Sequence, residues 1–262
     1  MNEAEIVVSG LLGCSRPQLY ARAGQRLEKA IASRLGEILR RRAGGEPLAY
    51  ITGTEDFYGL SFAVTPDVLV PRQDTEVLVE AVLQLCRGIP AVRILEIGTG
   101  SGAIAVTLAV NCPQAEVVAT DISPAALAVA RQNIVSHSVE ERITLVEADL
   151  FPVLPQEAPR YDLIVSNPPY IPSADIDGLE REVRCEPRLA LDGGAGGLDY
   201  FHRIVSRAAA FLNPRGRLVF EVGFGQRQAV EQIIAGSKNF FLERVIKDYN
   251  GIDRVIIAQL RG

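Results

Sequence analysis

The chain has 262 residues, 48% of them hydrophobic and 23% charged, with a formal charge of −5. That length is long for one compact core and short for two large ones, so one main domain plus an appendage is expected, and the composition excludes a disordered chain. The charge divides as +1 up to Arg72 and −6 beyond it, leaving no strongly basic half to neutralise a nucleic-acid backbone.

Residues 15–43 read as helices: Leu19, Ala23, Leu27, Ala30, Ile31, Leu35, Ile38 and Leu39 recur near the 3.6-residue period, with charged residues between them. Gly44-Gly45 and Pro47 end that pattern. Short β-type runs over 51–70, around Tyr58-Gly59, suggest a hairpin linker. A helix capped by Asp74 is expected next, through Val77, Leu78, Ala81, Val82 and Leu85. After Pro90 strands and helices alternate, with strands at 92–97, 116–120, 143–147, 161–166 and 217–222, and helices at 103–110, 124–136, 200–212 and 227–235. Two last strands at 241–247 and 254–260 flank Asn250-Gly251 and must pair antiparallel. The alternation implies a mostly parallel sheet covered on both faces.

Cys14, Cys86, Cys112 and Cys185 lie far apart, and His137 and His202 are the only histidines. No zinc site or disulfide framework is recognisable, no metal is expected, and a histidine relay has little raw material. No apolar run reaches the roughly 20 residues that span a bilayer, and the first residues lack the basic stretch of a signal peptide. A reduced cytoplasm, with no membrane contact, is the expected setting.

Glu96-Ile97-Gly98-Thr99-Gly100-Ser101-Gly102 follows a strand and opens a helix, a place where glycines admit a ligand to the backbone and the helix start offers N–H groups. Gly98, Gly100 and Ala103 also satisfy the dinucleotide fingerprint, with Asp121 suitably distant for a ribose. A nicotinamide-dependent oxidoreductase, or a non-catalytic nucleotide-binding module, therefore competes with a methyltransferase. Three features lean toward S-adenosyl-L-methionine. Glu96 suits a cofactor with an ammonium and a sulfonium, a glycine occupies position 102, and Asp121 and Asp149 end successive strands where ribose and adenine would lie.

Asn167-Pro168-Pro169-Tyr170 follows a strand directly. The Asn167 side-chain oxygen and the Pro168 carbonyl can each accept one hydrogen of a planar, conjugated NH₂, on a backbone stiffened by prolines. Holding both hydrogens localises density on a poorly nucleophilic nitrogen and aims it at a sulfonium methyl. Pro169 and Tyr170 complete the substrate site, and Tyr170 can stack on the flat target. Adenine N6, guanine N2 and the glutamine amide all present such an amine, so a nucleic-acid amino methyltransferase is the alternative target class.

With Glu46-Pro47-Leu48-Ala49-Tyr50-Ile51-Thr52-Gly53, Phe57-Tyr58-Gly59-Leu60, Pro71-Arg72-Gln73-Asp74-Thr75-Glu76 and Glu186-Pro187-Arg188-Leu189-Ala190-Leu191 added, nearly the whole chain resembles the HemK/PrmC-type protein-(glutamine-N5) methyltransferases. The resemblance implies a class I methyltransferase, a Rossmann-like doubly wound α/β sheet with an antiparallel last strand. It implies residues 1–72 as a helical N-terminal domain with its hairpin linker, and 73–262 as the catalytic domain. It implies methyl transfer from S-adenosyl-L-methionine, leaving S-adenosyl-L-homocysteine, to glutamine N5 in the Gly-Gly-Gln motif of a class I peptide-chain release factor. It places the cofactor on Gly98, Thr99, Gly100, Ser101, Gly102, Asp121, Asp149, Leu150 and Asn167, and glutamine on Asn167, Pro168, Pro169 and Tyr170, of which Asn167, Pro168 and Tyr170 serve catalysis. Arg72 and Thr75 are weaker candidates. The partner is the release factor, without nucleic acid, and the chain is expected to be monomeric. Gln73, Glu96, Leu150 and Cys185 depart from the family pattern, and Leu150 removes an aromatic on which adenine stacks in some members.

Overall fold

The computed structural model describes residues 3–153 and 160–262. Four helices come first: α1 (Glu3–Leu12), α2 (Arg16–Ala21), α3 (Lys29–Ala43) and α4 (Leu48–Thr52). The expected helical stretch is thus two helices broken at 22–28, and α1 and α4 were not anticipated. Glu5 of α1 pairs with Arg16 of α2 at 3.2 Å, and Arg42 of α3 reaches Glu3 at 2.8 Å and Glu182 at 2.5 Å. The hairpin falls as expected, with β1 (Thr54–Phe57) and β2 (Leu60–Ala63) joined at Tyr58-Gly59, both at positive φ.

Asp74 is not a helix cap. It lies within a 3₁₀ turn, Gln73–Thr75, that leads into α5 (Glu76–Cys86), and its carboxylate pairs with Arg254 at 2.9 Å. The buried Arg254 guanidinium, which also pairs with Asp248 at 3.2 Å, draws the acid away from the helix start.

Strands and helices then alternate through β3 (Val92–Ile97), α6 (Ala103–Asn111), β4 (Ala115–Asp121), α7 (Pro124–Ser136), β5 (Ile143–Glu147) and β6 (Tyr161–Ser166). A short α8 (Arg188–Leu191) and α9 (Asp199–Ala208) follow, then β7 (Leu212–Glu221), α10 (Arg227–Gly236), β8 (Phe240–Lys247) and β9 (Asp253–Leu260). The helix expected to reach 212 stops at Ala208, and Leu212 already belongs to β7. Pro214 cannot donate to a ladder, and the β6–β7 register slips between Tyr161 and Leu163, so this end of the strand carries little strand signal. On α9 the buried residues Phe201, Ile204, Val205 and Ala208 fall at i, i+3, i+4 and i+7, which seats one face on the sheet. Burial of a side chain such as Phe201 contributes about 1.5–3 kcal/mol.

The seven-stranded sheet runs β5-β4-β3-β6-β7-β9-β8, with β9 antiparallel to both neighbours and the β3–β7 pairings parallel. The order starts at β3, moves outward through β4 and β5, then returns to β6 on the other side of β3. A crevice therefore opens at the carboxyl ends of β3 and β6, where the helices part to opposite faces. Ile97 of β3 lies level with Thr120 of β4 and Ser166 of β6, so the glycine loop, Asp121 and Asn167 leave the sheet side by side.

Candidate active site

The crevice is lined by Ile97, Gly98 and Gly100 from the loop after β3 and by Asp121, Ile122 and Ser123 after β4. Ala148, Asp149 and Leu150 follow β5, and Ser166, Asn167, Pro168 and Pro169 close β6. Of the anticipated residues, Gly98, Gly100, Asp121, Asp149, Leu150, Asn167, Pro168 and Pro169 thus share one wall. Thr99, Ser101, Gly102 and Tyr170 are outside it, as are Arg72, Gln73, Thr75 and Cys185 among the residues noted beside them. Sequence reading missed other lining residues, among them Asp67 to Leu69, Leu189, Tyr200 and Arg203. Leu189 falls within the Glu186–Leu191 motif, whereas nothing in the sequence marks Asp67 to Leu69, Tyr200 or Arg203 as lining residues.

The residues off the wall hold the loop. Gly102 has φ +81°, and a Cβ there would lie 3.2 Å from Ala130 Cβ, so its lack of a side chain lets α6 pack on α7. The Ser101 carbonyl accepts from Asn133 Nδ2 at 2.8 Å, and the same amide exchanges hydrogen bonds with both backbone groups of Ala63. Asn133, buried on α7, therefore ties the hairpin to the glycine loop. Thr99 donates to Glu96 Oε2 at 2.7 Å. Glu96 is 1% exposed and sits behind the loop rather than in the crevice, and its Oε1 has no partner among the described residues. Burial pushes its pKa up to about 7, opposed by the Thr99 hydroxyl, with the Asp121 charge adding to the rise.

The loop's hydrogen bonds decide which cofactor it suits. Gly98 N and Thr99 N both donate to the Thr120 carbonyl at 2.9 Å, Gly100 N donates to Asp121 Oδ2 at 2.8 Å, and Gly102 N to the Thr99 carbonyl. A dinucleotide fingerprint uses such N–H groups for a pyrophosphate, and those of Gly98, Thr99, Gly100 and Gly102 are already bonded within the protein. Arg203, the cation on this wall among the described residues, is held by Asp149 at 2.6 Å. Asp67, Asp121 and Asp149 give the crevice acidic character, which suits a cationic cofactor without phosphates. Ser123 caps α7, its Oγ accepting from Ala126 N at 3.2 Å, while Asp121 Oδ1 accepts from Ser123 N. At φ +76° and +54°, Gly98 and Gly100 have no atom within 4 Å of a built Cβ, leaving space for a ligand against the backbone. The residues fit S-adenosylmethionine.

At the end of β6, Asn167 Nδ2 donates to Thr75 Oγ at 3.1 Å. The amide nitrogen is thereby turned toward the 3₁₀ turn, and no described residue donates to Asn167 Oδ1 or to the Pro168 carbonyl. Both residues line the crevice. Tyr170 departs from the expected stacking role: its ring packs beside Gly223 and against the core, and its hydroxyl approaches Glu221 Oε1 at 3.5 Å. Burial raises its pKa. Here it supports the Asn-Pro-Pro turn from beneath.

A PrmC N-terminal domain model matches residues 1–53 and a Methyltransferase small domain model matches 73–179. A release factor glutamine methyltransferase of Moorella thermoacetica is 46% identical over 99% of this chain and 91% of its own length. The chain belongs to the release factor glutamine methyltransferase family. A second member, from Geobacter sulfurreducens, is also 46% identical, over 97% of this chain and 87% of its own. A Pyrococcus furiosus methyltransferase structure superposes with TM-score 0.56 at 19% identity, covering 88% of this chain and 99% of that one, which speaks to the fold. Members of this family are enzymes that use S-adenosylmethionine as methyl donor. Among the family departures noted in the sequence, Leu150 is the one on the wall. It has φ +72° and its carbonyl accepts from Thr120 at 2.7 Å, so it shapes the crevice by backbone as well as side chain.

Proposed function

We propose that this chain methylates the side-chain amide nitrogen N5 of the glutamine in the Gly-Gly-Gln motif of a class I peptide-chain release factor. The observation that carries the reading is the orientation of Asn167, whose nitrogen is engaged by Thr75 so that its oxygen and the Pro168 carbonyl are left as a pair of acceptors. S-adenosylmethionine supplies an electrophilic methyl group on a sulfonium.

The rest of the work falls to this chain's residues. Gly98, Gly100, Asp121, Asp149 and Leu150 would hold the cofactor from one side, with Asp121 and Asp149 suited to its hydroxyl and amino groups. Asn167 Oδ1 and the Pro168 carbonyl would take the two amide hydrogens, which fixes the plane of the NH₂ and favours a lone pair perpendicular to it. Holding a reactive pair in line supplies roughly 7–11 kcal/mol without a general base, and the methylated nitrogen is acidic enough to release its proton afterward. Acceptor oxygens beside the nitrogen stabilise positive charge as it develops there. Thr99, Ser101 and Gly102 serve by fixing the loop.

Incubation of the enzyme with recombinant release factor and isotopically labelled cofactor, followed by mass spectrometry, tests the reading. Label on the Gly-Gly-Gln glutamine, absent from the Gln→Ala variant, is the expected result. Equal labelling of both, or transfer to nucleic acid alone, overturns it.

A further inference from the structure

Two prolines in succession leave the Asn-Pro-Pro-Tyr turn short of donors of its own. Pro168 and Pro169 carry no N–H, so no hydrogen bond donated by either can fix where the Pro168 carbonyl points. Upstream, the chain is fixed in β6, where Ser166 pairs with Ile97 and Phe220. Past the prolines, the first hydrogen bond to the backbone among the described residues falls on the Tyr170 carbonyl, which accepts from Gln226 Nε2 at 2.8 Å. The direction of the Pro168 carbonyl is therefore set from the two ends of the turn.

Gln226 stands between β7 and α10, and its half-buried amide meets three backbone groups. Gly223 N donates to Oε1 at 2.9 Å, while Nε2 donates to the carbonyls of Tyr170 at 2.8 Å and Gly197 at 3.2 Å. Backbone groups have fixed roles, since an N–H only donates and a carbonyl only accepts. The Gly223 N–H thus admits only the oxygen end of the amide, and both N–H bonds are left for the two carbonyls. The surroundings are cut to the same contact. A Cβ at Gly197 would collide with the Tyr170 carbonyl oxygen and lie 2.8 Å from Gln226 Nε2. One at Gly193 would lie 2.8 Å from both the Pro169 carbonyl oxygen and Tyr170 Cα. Glycines at these positions let the loop ahead of α9 close directly on the turn. The clamp continues beyond Tyr170, with Ile171 N donating to the Leu191 carbonyl at 3.0 Å and Gly193 N to the Ile171 carbonyl at 2.8 Å.

We propose that Gln226, acting through the Tyr170 carbonyl, is the positioning residue that holds the Asn-Pro-Pro-Tyr turn and so aims the Pro168 carbonyl at the amide to be methylated. The proposal rests on the reading that Asn167 Oδ1 and the Pro168 carbonyl take the two hydrogens of that amide. Gln226 does not line the crevice, so it acts on the substrate by way of the turn. Reversing one end of its amide is the sharpest perturbation. Glutamate has the same shape, but its carboxylate sets lone pairs against two carbonyl oxygens where the amide gave N–H groups, and repulsion replaces attraction. The Tyr170 peptide then turns away. The proline pair, with φ fixed at both residues, carries that displacement back to the Pro168 carbonyl. A misplacement near 1 Å at a reacting group costs on the order of 100-fold in rate.

The test compares Gln226→Glu, Gln226→Ala and Gly197→Ala with the parent enzyme. Gln226→Glu should lower kcat about 10- to 100-fold, as expected for a misplaced reacting group. Gln226→Ala should lower it less, because water can serve the two carbonyls. Gly197→Ala pushes on the same carbonyl oxygen from the other loop and should resemble Gln226→Glu. In Gln226→Glu the KM for release factor should stay within about threefold, and affinity for S-adenosylhomocysteine, measured by calorimetry, within about twofold. Ile234→Ala, buried two turns further along α10, reports general destabilisation: its melting temperature should fall while its kcat, taken where it is folded, stays parental. Parental kcat in Gln226→Glu, or an equal loss in Ile234→Ala, overturns the proposal. Crystal structures of the parent and Gln226→Glu with S-adenosylhomocysteine give a readout independent of turnover. The Pro168 carbonyl oxygen should differ in position by roughly 0.5–1 Å or more. An unmoved carbonyl refutes the positioning role whatever the enzyme methylates, whereas a moved carbonyl in an enzyme whose parent leaves release factor unlabelled refutes the substrate alone.

Discussion

Two glycines of one loop should respond to the same substitution in opposite ways. Gly98 and Gly102 have φ +76° and +81°, so alanine at either strains the backbone by about 1–2 kcal/mol. They differ in what the added carbon meets. At Gly98 nothing lies within 4 Å, whereas at Gly102 the new carbon falls 3.2 Å from Ala130 Cβ and 3.3 Å from its Cα. Neither Ala130 atom can rotate away, so α6 and α7 must separate, a form of overpacking that costs about 1–3 kcal/mol more. Gly102→Ala should therefore lose roughly 2–5 kcal/mol and Gly98→Ala roughly 1–2 kcal/mol. At about 2–4 °C per kcal/mol for a chain near this size, the two melting temperatures should differ by several degrees. Cofactor binding should rank the other way. Gly98 is on the crevice wall and Gly102 is not, so Gly98→Ala should weaken S-adenosylhomocysteine binding by about tenfold or more, and Gly102→Ala should spare it more. Thermal unfolding and calorimetry on both variants read the two axes. Equal melting temperatures, or parental affinity in Gly98→Ala, would refute the division of the loop into a packing glycine and a ligand-facing one.

Asp121→Ala should weaken cofactor binding by up to a few kcal/mol, because the carboxylate braces Gly100 N and Ser123 N as well as facing the crevice; titration calorimetry showing unchanged affinity would contradict this. Asn133→Leu should cost about 2–4 kcal/mol by stranding buried backbone groups of Ala63 and Ser101, read as a shifted denaturant midpoint with an unaltered slope. The pH dependence of stability follows from Glu96, raised from the ordinary 4.5 to about 7 by burial. Above 4.5 the unfolded chain ionises this group while the fold keeps it protonated, so stability falls as pH rises toward 7 and levels off beyond. Glu96→Gln should flatten that decline in melting temperature, part of the slope remaining through Glu221, likewise raised to about 7 by burial; an unchanged profile would show that Glu96 is ionised in the fold.

The parts of this fold legible in the sequence were those with strong local periodicity and clear punctuation. The strands at 143–147 and 161–166 and the helix at 124–136, opened by Pro124, fall where the pattern put them. Helix α1 escaped because Ile6, Val7, Val8 and Gly10 carry weak helical preference, and contacts of Glu5 with α2 help hold it in place. Asp74 looked like a cap because capping is a local preference, but a buried arginine from the far end of the chain claimed it. The Asn-Pro-Pro segment was readable because its chemistry is contiguous. The glycine loop was not fully readable, because the distinction between cofactors lies in which N–H groups are already bonded, to Thr120 and Asp121 on another strand. The packing of Tyr170 was hidden for the same reason: the sequence shows its ring but not its neighbours Gly223 and Glu221.

A crystal structure of the enzyme with S-adenosylhomocysteine and a Gly-Gly-Gln peptide bears most directly on how the amide is held. The glutamine nitrogen should lie about 2.7–3.2 Å from both Asn167 Oδ1 and the Pro168 carbonyl oxygen, facing the cofactor sulfur. A glutamine bound elsewhere, or an Asn167 side chain offering its nitrogen to the peptide, would contradict the account.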